Sequence, residues 1–294
     1  LIGSGNQHQL EPEERGLLQR ALERWEFTPQ HRADRGGSCR VWYGTCGGDR
    51  PAFLKWHPQR RGWSQEERAL GRWLPEVPES LAGRPQLIAA HPGDRLLLLS
   101  ALGGEAVDTI DLTEEKRCAI HRQAGAVLAV LHRLDIADED PIPLSRALPE
   151  RLAGWLARSE GGISASLVDT ARQAVGDGSI FGDDARVPCH NDFQERNWLW
   201  DGEIFSVIDF EHSHLNHPAF DLVRLQFGCW QDAPRLRCSF LEGYGENPPW
   251  LTDGGLDAVG AIFAVGSIVW GKENAQDPLV AQGFEILTRL GRRL

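Results

Sequence analysis

With 294 residues, 41% of them hydrophobic and 25% charged, and a formal net charge of −11, the chain has the composition of a globular protein long enough for two cores. The acidic balance excludes a general nucleic-acid binder, which needs a basic face for phosphate backbones, and is compatible with a cationic small molecule. Six scattered cysteines with no C-x-x-C pair read as reduced thiols, and the longest apolar run, 258–271, is about 14 residues, too short to cross a bilayer. No basic-plus-apolar leader opens the sequence, so the expectation is a cytoplasmic protein without a membrane partner.

Residues 10–30 carry a helical pattern, with Leu10, Leu17, Leu18, Leu22 and Trp25 on the apolar side. Glycines then punctuate two short β-rich runs, 40–43 and 52–56, which predict an antiparallel hairpin. "SQEERALGRWL" returns to helical periodicity, with Ser64 and Glu67 at capping-box spacing. "RPQLIAA" and "DRLLLLSAL" read as apolar strands. After the Gly-containing hinge "ALGG" (101–104) the patterns are mostly helical, over 113–134, 147–158, 165–175, 218–229, 233–243, 254–271 and 278–291. This layout predicts an α+β chain with a β-rich N-terminal domain, 1–102, and a larger, mainly helical C-terminal domain, 103–294.

Within the helical half, "VPCHNDFQERNWLWDGEIFSVIDFE" (187–211) sets His190, Asp192, Asn197 and Asp209 among large apolar side chains. Asp201-Gly202 is a two-residue hairpin signal that would place Trp200 opposite Glu203, Leu199 opposite Ile204 and Asn197 opposite Ser206. Asn197 and Asp209 then emerge at the open end of the hairpin, and the loop with His190 and Asp192 leads into that end. Singly, each residue has a plainer use, Asp192 capping a turn and the others bounding strands. Together they make an oxygen-rich rim suited to magnesium, a hard ion that shares its ligands with nucleotide phosphates. Phosphoryl transfer needs that ion and a carboxylate to orient the attacking hydroxyl. The spacing His190-x-Asp192-x4-Asn197, with Asp209 opening Asp-Phe-Glu, matches the kinase catalytic-loop and metal-loop pattern.

The N-terminal half offers matching parts for phosphates. In "GGSCRVWYG" Gly36 and Gly37 permit close backbone approach and Ser38 adds a hydroxyl and an amide. Strand alternation in "AFLKWHP" places Phe53 and Lys55 on one face and Leu54 and Trp56 on the other. Glu67 on the following helix is the expected partner of Lys55, with Glu66 as its rival; as an exposed pair this would contribute about 1 kcal/mol or less. A surface lysine and a turn without G-x-G-x-x-G are weak signals alone, but their order along the chain is specific.

In that order the sequence resembles the aminoglycoside phosphotransferase family, the small-molecule branch of the protein-kinase-like fold. "CHNDFQERNWL", "VIDFE", "HPAFDL" and "VLAVLHRL" resemble the family's blocks, and the likeness runs from the 36–44 loop to the C-terminal helices. The resemblance implies a bilobal fold, Asp192 as catalytic aspartate, Asn197 and Asp209 as Mg²⁺ ligands, and Lys55 at the phosphates of ATP or GTP with Glu67 pairing it. Gly37 and Ser38 would complete the nucleotide site. Position 191 is Asn where many members have Gly and protein kinases have Arg, and about eleven residues between Asp209 and Asp221 leave no room for an activation loop. Asp221 is expected to brace the catalytic loop, His190 to bond backbone, and His132 to be a satisfied core histidine. His212, His214 and His217 are expected to line the acceptor pocket or face solvent, and Asp232, Glu242, Trp250, Trp270 and Glu273 to furnish the acceptor wall. The expected activity is transfer of phosphate to a hydroxyl of an antibiotic or related natural product, by a monomer or homodimer. A choline- or homoserine-type metabolic kinase and a nucleotide-binding pseudokinase are the alternatives.

Overall fold

The computed structural model describes residues 11–33, 39–182, 184–245, 248–252 and 254–293. In chain order come α1 (Pro12–Trp25), β1 (Thr28–Arg32), β2 (Arg40–Cys46), β3 (Arg50–Trp56), α2 (Arg60–Arg68), β4 (Leu87–His91), β5 (Leu96–Ser100) and β6 (Glu105–Ala106). Then follow α3 (Glu114–His132), α4 (Leu144–Arg158), α5 (Ala165–Val175), β7 (Val187–Cys189), β8 (Trp198–Trp200), β9 (Phe205–Val207) and β10 (His214–Asn216). The last elements are α6 (Val223–Gln226), α7 (Pro234–Tyr244), α8 (Pro249–Thr252), α9 (Gly255–Glu273) and α10 (Asp277–Gly291). They group into two compact units: one runs to Ile110 and takes back Glu195–Ser213, the other holds Asp111–Gln194 and the chain from His214 on.

Unit 1 is built on an antiparallel five-stranded sheet in the order β1-β2-β3-β5-β4. Leu17, Leu18 and Ala21 of α1 meet Phe27, Trp42, Leu54, Leu96 and Leu98 in its core. Leu22, expected on that apolar side, is exposed instead. The β2–β3 hairpin forms as expected and is longer, pairing Arg40 with Trp56 at one end and Cys46 with Arg50 at the other. α2 begins four residues before Ser64, so Ser64 is no cap; its hydroxyl donates to the Arg61 carbonyl within the helix. The boundary falls at Ile110, not at 102. Gly103 and Gly104 lie inside unit 1, because they lead into β6, which pairs with β8. Gly104, at φ 99°, lies so close to the Trp200 backbone that a Cβ would collide with it.

The β8–β9 hairpin belongs to unit 1, not to the helical half, and its register differs by two residues from the expected one: Trp200 faces Phe205 and Leu199 faces Ser206. The cause is Asp201, whose carboxylate accepts from the amides of Glu203 and Ile204 and widens the turn to four residues. A shift of two leaves each side chain on its expected face. It also brings Asp209 closer to Asn197, whose carbonyl accepts from the Ile208 amide at 3.0 Å.

In unit 2, α3 opens on Thr113, whose side chain accepts from the Lys116 amide. β7 and β10 pair antiparallel, Cys189 opposite His214, and so bracket the loop that follows β7. The expected 218–229 helix is split into a 3₁₀ turn, Pro218–Asp221, and α6. α9 extends beyond the 258–271 run to 19 residues and is the one described helix long and apolar enough to cross a membrane; it is mostly buried and packs on α4, α5 and α10. α3 and α7 cross at two glycines: a Cβ on Gly125 would overlap the Phe240 carbonyl, and one on Gly243 the Arg122 carbonyl. Gly125→Ala should therefore destabilise unit 2 by about 1–3 kcal/mol through overpacking, measured by urea unfolding. An unchanged midpoint would show that the helices separate without cost.

Candidate active site

Along β3, Ala52, Leu54 and Trp56 turn to the unit 1 core, and alternation sends Lys55 to the other face. There Nζ lies 2.5 Å from Asp209 Oδ1, 2.7 Å from Glu66 Oε2 and 3.7 Å from Glu211 Oε2. The Lys55 partner on α2 is thus Glu66 and not Glu67. Trp63, Glu66, Leu70 and Trp73 form one buried helical stripe, and Glu67 lies about 100° round from it. The pair is also buried and not exposed, with side-chain accessibilities of 7% and 2%. Burial alone would lower the Lys55 ammonium, but Asp209, Glu66 and Glu211 together hold it well above its ordinary value. Burial likewise favours a neutral Glu66, yet Lys55 and then His57 keep its carboxyl below the usual range.

Three carboxylates around one ammonium leave an excess of negative charge in this part of unit 1. Asp209 holds a left-handed backbone, φ 69°, just past β9, a conformation that costs a non-glycine residue free energy and concentrates at functional positions. Its carboxylate is the most exposed of the three, 36% against 2% for Glu66 and 14% for Glu211. Asn197, buried, ends the 3₁₀ turn Glu195–Asn197 directly before β8. An amide oxygen and a carboxylate at the paired end of one hairpin, amid surplus acid, are donors of the kind magnesium takes, and the residues fit that ion.

Unit 2 holds the other half of the motif. His190, Asn191 and Asp192 follow β7, and the loop is fixed by Asp221, which accepts from the His190 amide at 3.0 Å and from the Asn191 amide. Asp221 is itself held by His132 Nε2 at 3.0 Å, and His132 Nδ1 meets the Tyr244 hydroxyl at 2.8 Å. The His190 ring accepts from the Asp192 amide. Asn191 has φ 62°, a left-handed backbone in which Asn is enriched among non-glycine residues; its side chain bonds the Cys189 and His214 carbonyls and accepts from Asn216. Asp192 is 3% exposed, and its Oδ1 lies 2.7 Å from Arg224 Nε and 2.6 Å from Gln194 Nε2.

Arg224 was not marked by the sequence reading, although its place three residues after Asp221 puts it a helical turn from the loop's brace. Cys39 and His57 were also missed: they stand just outside the Arg40–Trp56 pair and so meet across the β2–β3 hairpin. Gly37 and Ser38 lie outside the described residues. His217 neither lines a pocket nor faces solvent, since it is fully buried, accepting from the Ala219 amide and meeting Asp184. His214 is half-buried against Asn191, and His212 is exposed. Of the residues expected to furnish the acceptor wall, Glu242 and Glu273 pair with Arg122 and Arg158 at exposed positions, Trp270 is exposed, and Trp250 packs on His217.

A family model described as the phosphotransferase enzyme family matches residues 30–253. No curated protein matches the chain in sequence. Among solved structures it is similar to the streptomycin–ATP–APH(2")-IIa ternary complex, with TM-score 0.68 and 15% identity over 93% of this chain and 95% of that one. It is also similar to the GDP complex of aminoglycoside 2'-phosphotransferase-IIIa, with TM-score 0.71 and 13% identity over 96% and 99% of the two chains. A third is macrolide 2'-phosphotransferase MphH from Brachybacterium faecium, with TM-score 0.65 and 17% identity over 93% and 97%. These likenesses give the fold as protein-kinase-like, with a β-sheet N-terminal region and a mainly helical C-terminal part.

Removing one member of the buried pair strands the other. Lys55→Met should cost unit 1 about 3–5 kcal/mol, and the double change Lys55→Met/Glu66→Gln should cost less than the single one, both measured by urea unfolding. Equal losses would mean that Glu66 is hydrated. The pH dependence follows from the two shifts. Lys55, raised on folding, contributes stability fully present below its unfolded value of about 10.4 and lost as pH rises through its higher folded value. Glu66, lowered, contributes stability present above about 4.3 and lost as pH falls through its lower folded value. This pair should therefore leave stability flat between about pH 5 and 10.

Proposed function

Because this chain belongs to the phosphotransferase enzyme family, a family of kinases acting on hydroxyl acceptors, we propose that it moves the γ-phosphoryl group of ATP or GTP to a hydroxyl of an antibiotic or related natural product. The observation that carries this reading is the buried Lys55–Glu66 pair with Asp209 on the same ammonium. An ammonium fixed at such a cost in desolvation, beside a partly exposed carboxylate, is a phosphate-binding device. The acceptor class rests on the similarity to structures whose names carry streptomycin and macrolide 2'-phosphotransferase.

In this reading Lys55 holds the nucleotide phosphates, its rotamer set by Glu66. Asn197 and Asp209 would hold Mg²⁺, which when bound neutralises charge on the phosphate oxygens. Asp192 orients the acceptor hydroxyl and takes its proton as the oxygen attacks phosphorus. Arg224 and Gln194 hold Asp192 Oδ1 and so fix the direction of that carboxylate. Asp221 keeps the backbone of the loop from shifting as the proton moves.

A panel of aminoglycosides, macrolides, choline and homoserine, read by nucleoside diphosphate release, tests the reading. Acceptor-dependent release with an antibiotic is expected. Asp192→Asn should then lower turnover about a hundredfold or more while nucleotide affinity is retained. Turnover at the wild-type rate in that variant would remove Asp192 from the chemistry. Release with choline or homoserine alone would make this a metabolic kinase, and nucleotide binding without release on any acceptor would favour a binding module.

A further inference from the structure

Beside the Lys55 cluster, and sharing Glu211 with it, lies a second group whose Cys39 and His57 the phosphotransfer reading does not use. Cys39 precedes β2, His57 follows β3, and Glu211 follows β9, yet Cys39 Sγ, His57 Nδ1 and a Glu211 carboxylate oxygen converge within 4.8 Å of one another. Sγ lies 3.2 Å from Nδ1 and 2.6 Å from Glu211 Oε2, and Nδ1 lies 3.9 Å from that oxygen. We propose that these three atoms form a binding site for a zinc-class divalent cation, separate from the Asn197 and Asp209 oxygens.

The distances suit such an ion. Zinc bonds of about 2.3 Å to sulfur and about 2.0–2.1 Å to nitrogen and oxygen set tetrahedral ligand atoms roughly 3.3–3.7 Å apart, so each side of the triangle adjusts by less than about 1 Å. The donors are a thiol, an imidazole and a carboxylate, a set that selects zinc over magnesium. Three protein ligands leave a fourth position for water.

An independent observation is the support behind the histidine. Glu66 Oε2 lies 3.0 Å from His57 Nε2, an electrostatic contact that a proton on Nε2 would strengthen while leaving the Nδ1 lone pair for the metal beside Cys39 and Glu211. A carboxylate behind a ligating histidine is the usual outer partner of a zinc site, and here it is fixed by Lys55. Another buried group, His132, Cys189 and Asp221, is already committed, because Asp221 accepts from the His190 and Asn191 amides. On binding, the Cys39 S–H bond breaks, the sulfur pair goes to the metal, and the proton leaves to solvent. The ion also draws on Glu211, which stands 3.7 Å from Lys55, and so connects the site to the phosphate-binding lysine.

The test uses the full chain, reduced and stripped by chelator, titrated with Co²⁺ and then Zn²⁺. One Co²⁺ should bind with a near-ultraviolet thiolate-to-cobalt band and tetrahedral visible bands, and Zn²⁺ should displace it. Cys39→Ser should lose the thiolate band, whereas Cys229→Ser and Cys238→Ser should keep it. Glu66→Gln should weaken the site about 10–100-fold in competition with a chromophoric chelator. Should Cys39→Ser fail to fold, His57→Gln is read instead and should lose the tetrahedral bands. No thiolate band in the wild type, or a band that survives Cys39→Ser, overturns the proposal. Neither readout needs nucleotide or turnover, so the site and the phosphotransfer reading fail separately.

Discussion

A lysine ammonium buried among carboxylates organises unit 1. Taking the Lys55 charge out of water is affordable only because Asp209, Glu66 and Glu211 surround it, and they come from two separate parts of the chain, α2 and the segment after β9. β3 must present Lys55 away from the core, α2 must turn residue 66 inward, and the β8–β9 hairpin must fold back so that residues 209 and 211 arrive. That last requirement gives a physical reason for Glu195–Ser213 to group with the N-terminal sheet although it is distant in sequence. Ion pairing of this depth fixes side-chain direction more firmly than a surface pair does, and direction is what the proposed phosphate contact needs.

In unit 2 the corresponding constraint is a set of backbone amides. The loop after β7 takes a left-handed turn at Asn191, which aims consecutive amides at one carboxylate, Asp221. His132 and Tyr244 stand behind that carboxylate, so α3 and α7 take part in holding the loop. The glycine crossing that lets α3 and α7 pack closely serves this same network. Asp192 is thereby placed by backbone, while Arg224 on α6 sets the direction of its side chain.

Much of this was legible in the sequence, and the exceptions have local causes. The period-2 pattern around Leu54 and Lys55 sufficed to assign their faces, whereas the left-handed backbone of Asn191 emerges only in the structure. Glu66 was passed over because helix phase depends on where α2 begins, and neither Gln59 nor Ser64 marks that start with a side-chain cap. The β8–β9 register shifted because the Asp201 side chain substitutes for a backbone partner in the turn, a choice that the Asp-Gly pair does not disclose. Cys39 and His57 become neighbours only through the Arg40–Trp56 pairing, and Arg224 meets Asp192 only once the helix at 218–229 breaks. In each case the missing information was a register or a phase, while the residue types and their order were legible from the start.

The central claim is that Asp209, backed by Asn197, anchors the metal that brings nucleotide to Lys55. Calorimetry of ATP binding with and without Mg²⁺, on the wild type and on Asp209→Ala, tests it most directly. Magnesium-dependent affinity should be present in the wild type and lost in the variant, with circular dichroism showing the fold retained. An unchanged magnesium-dependent affinity in folded Asp209→Ala would contradict the account.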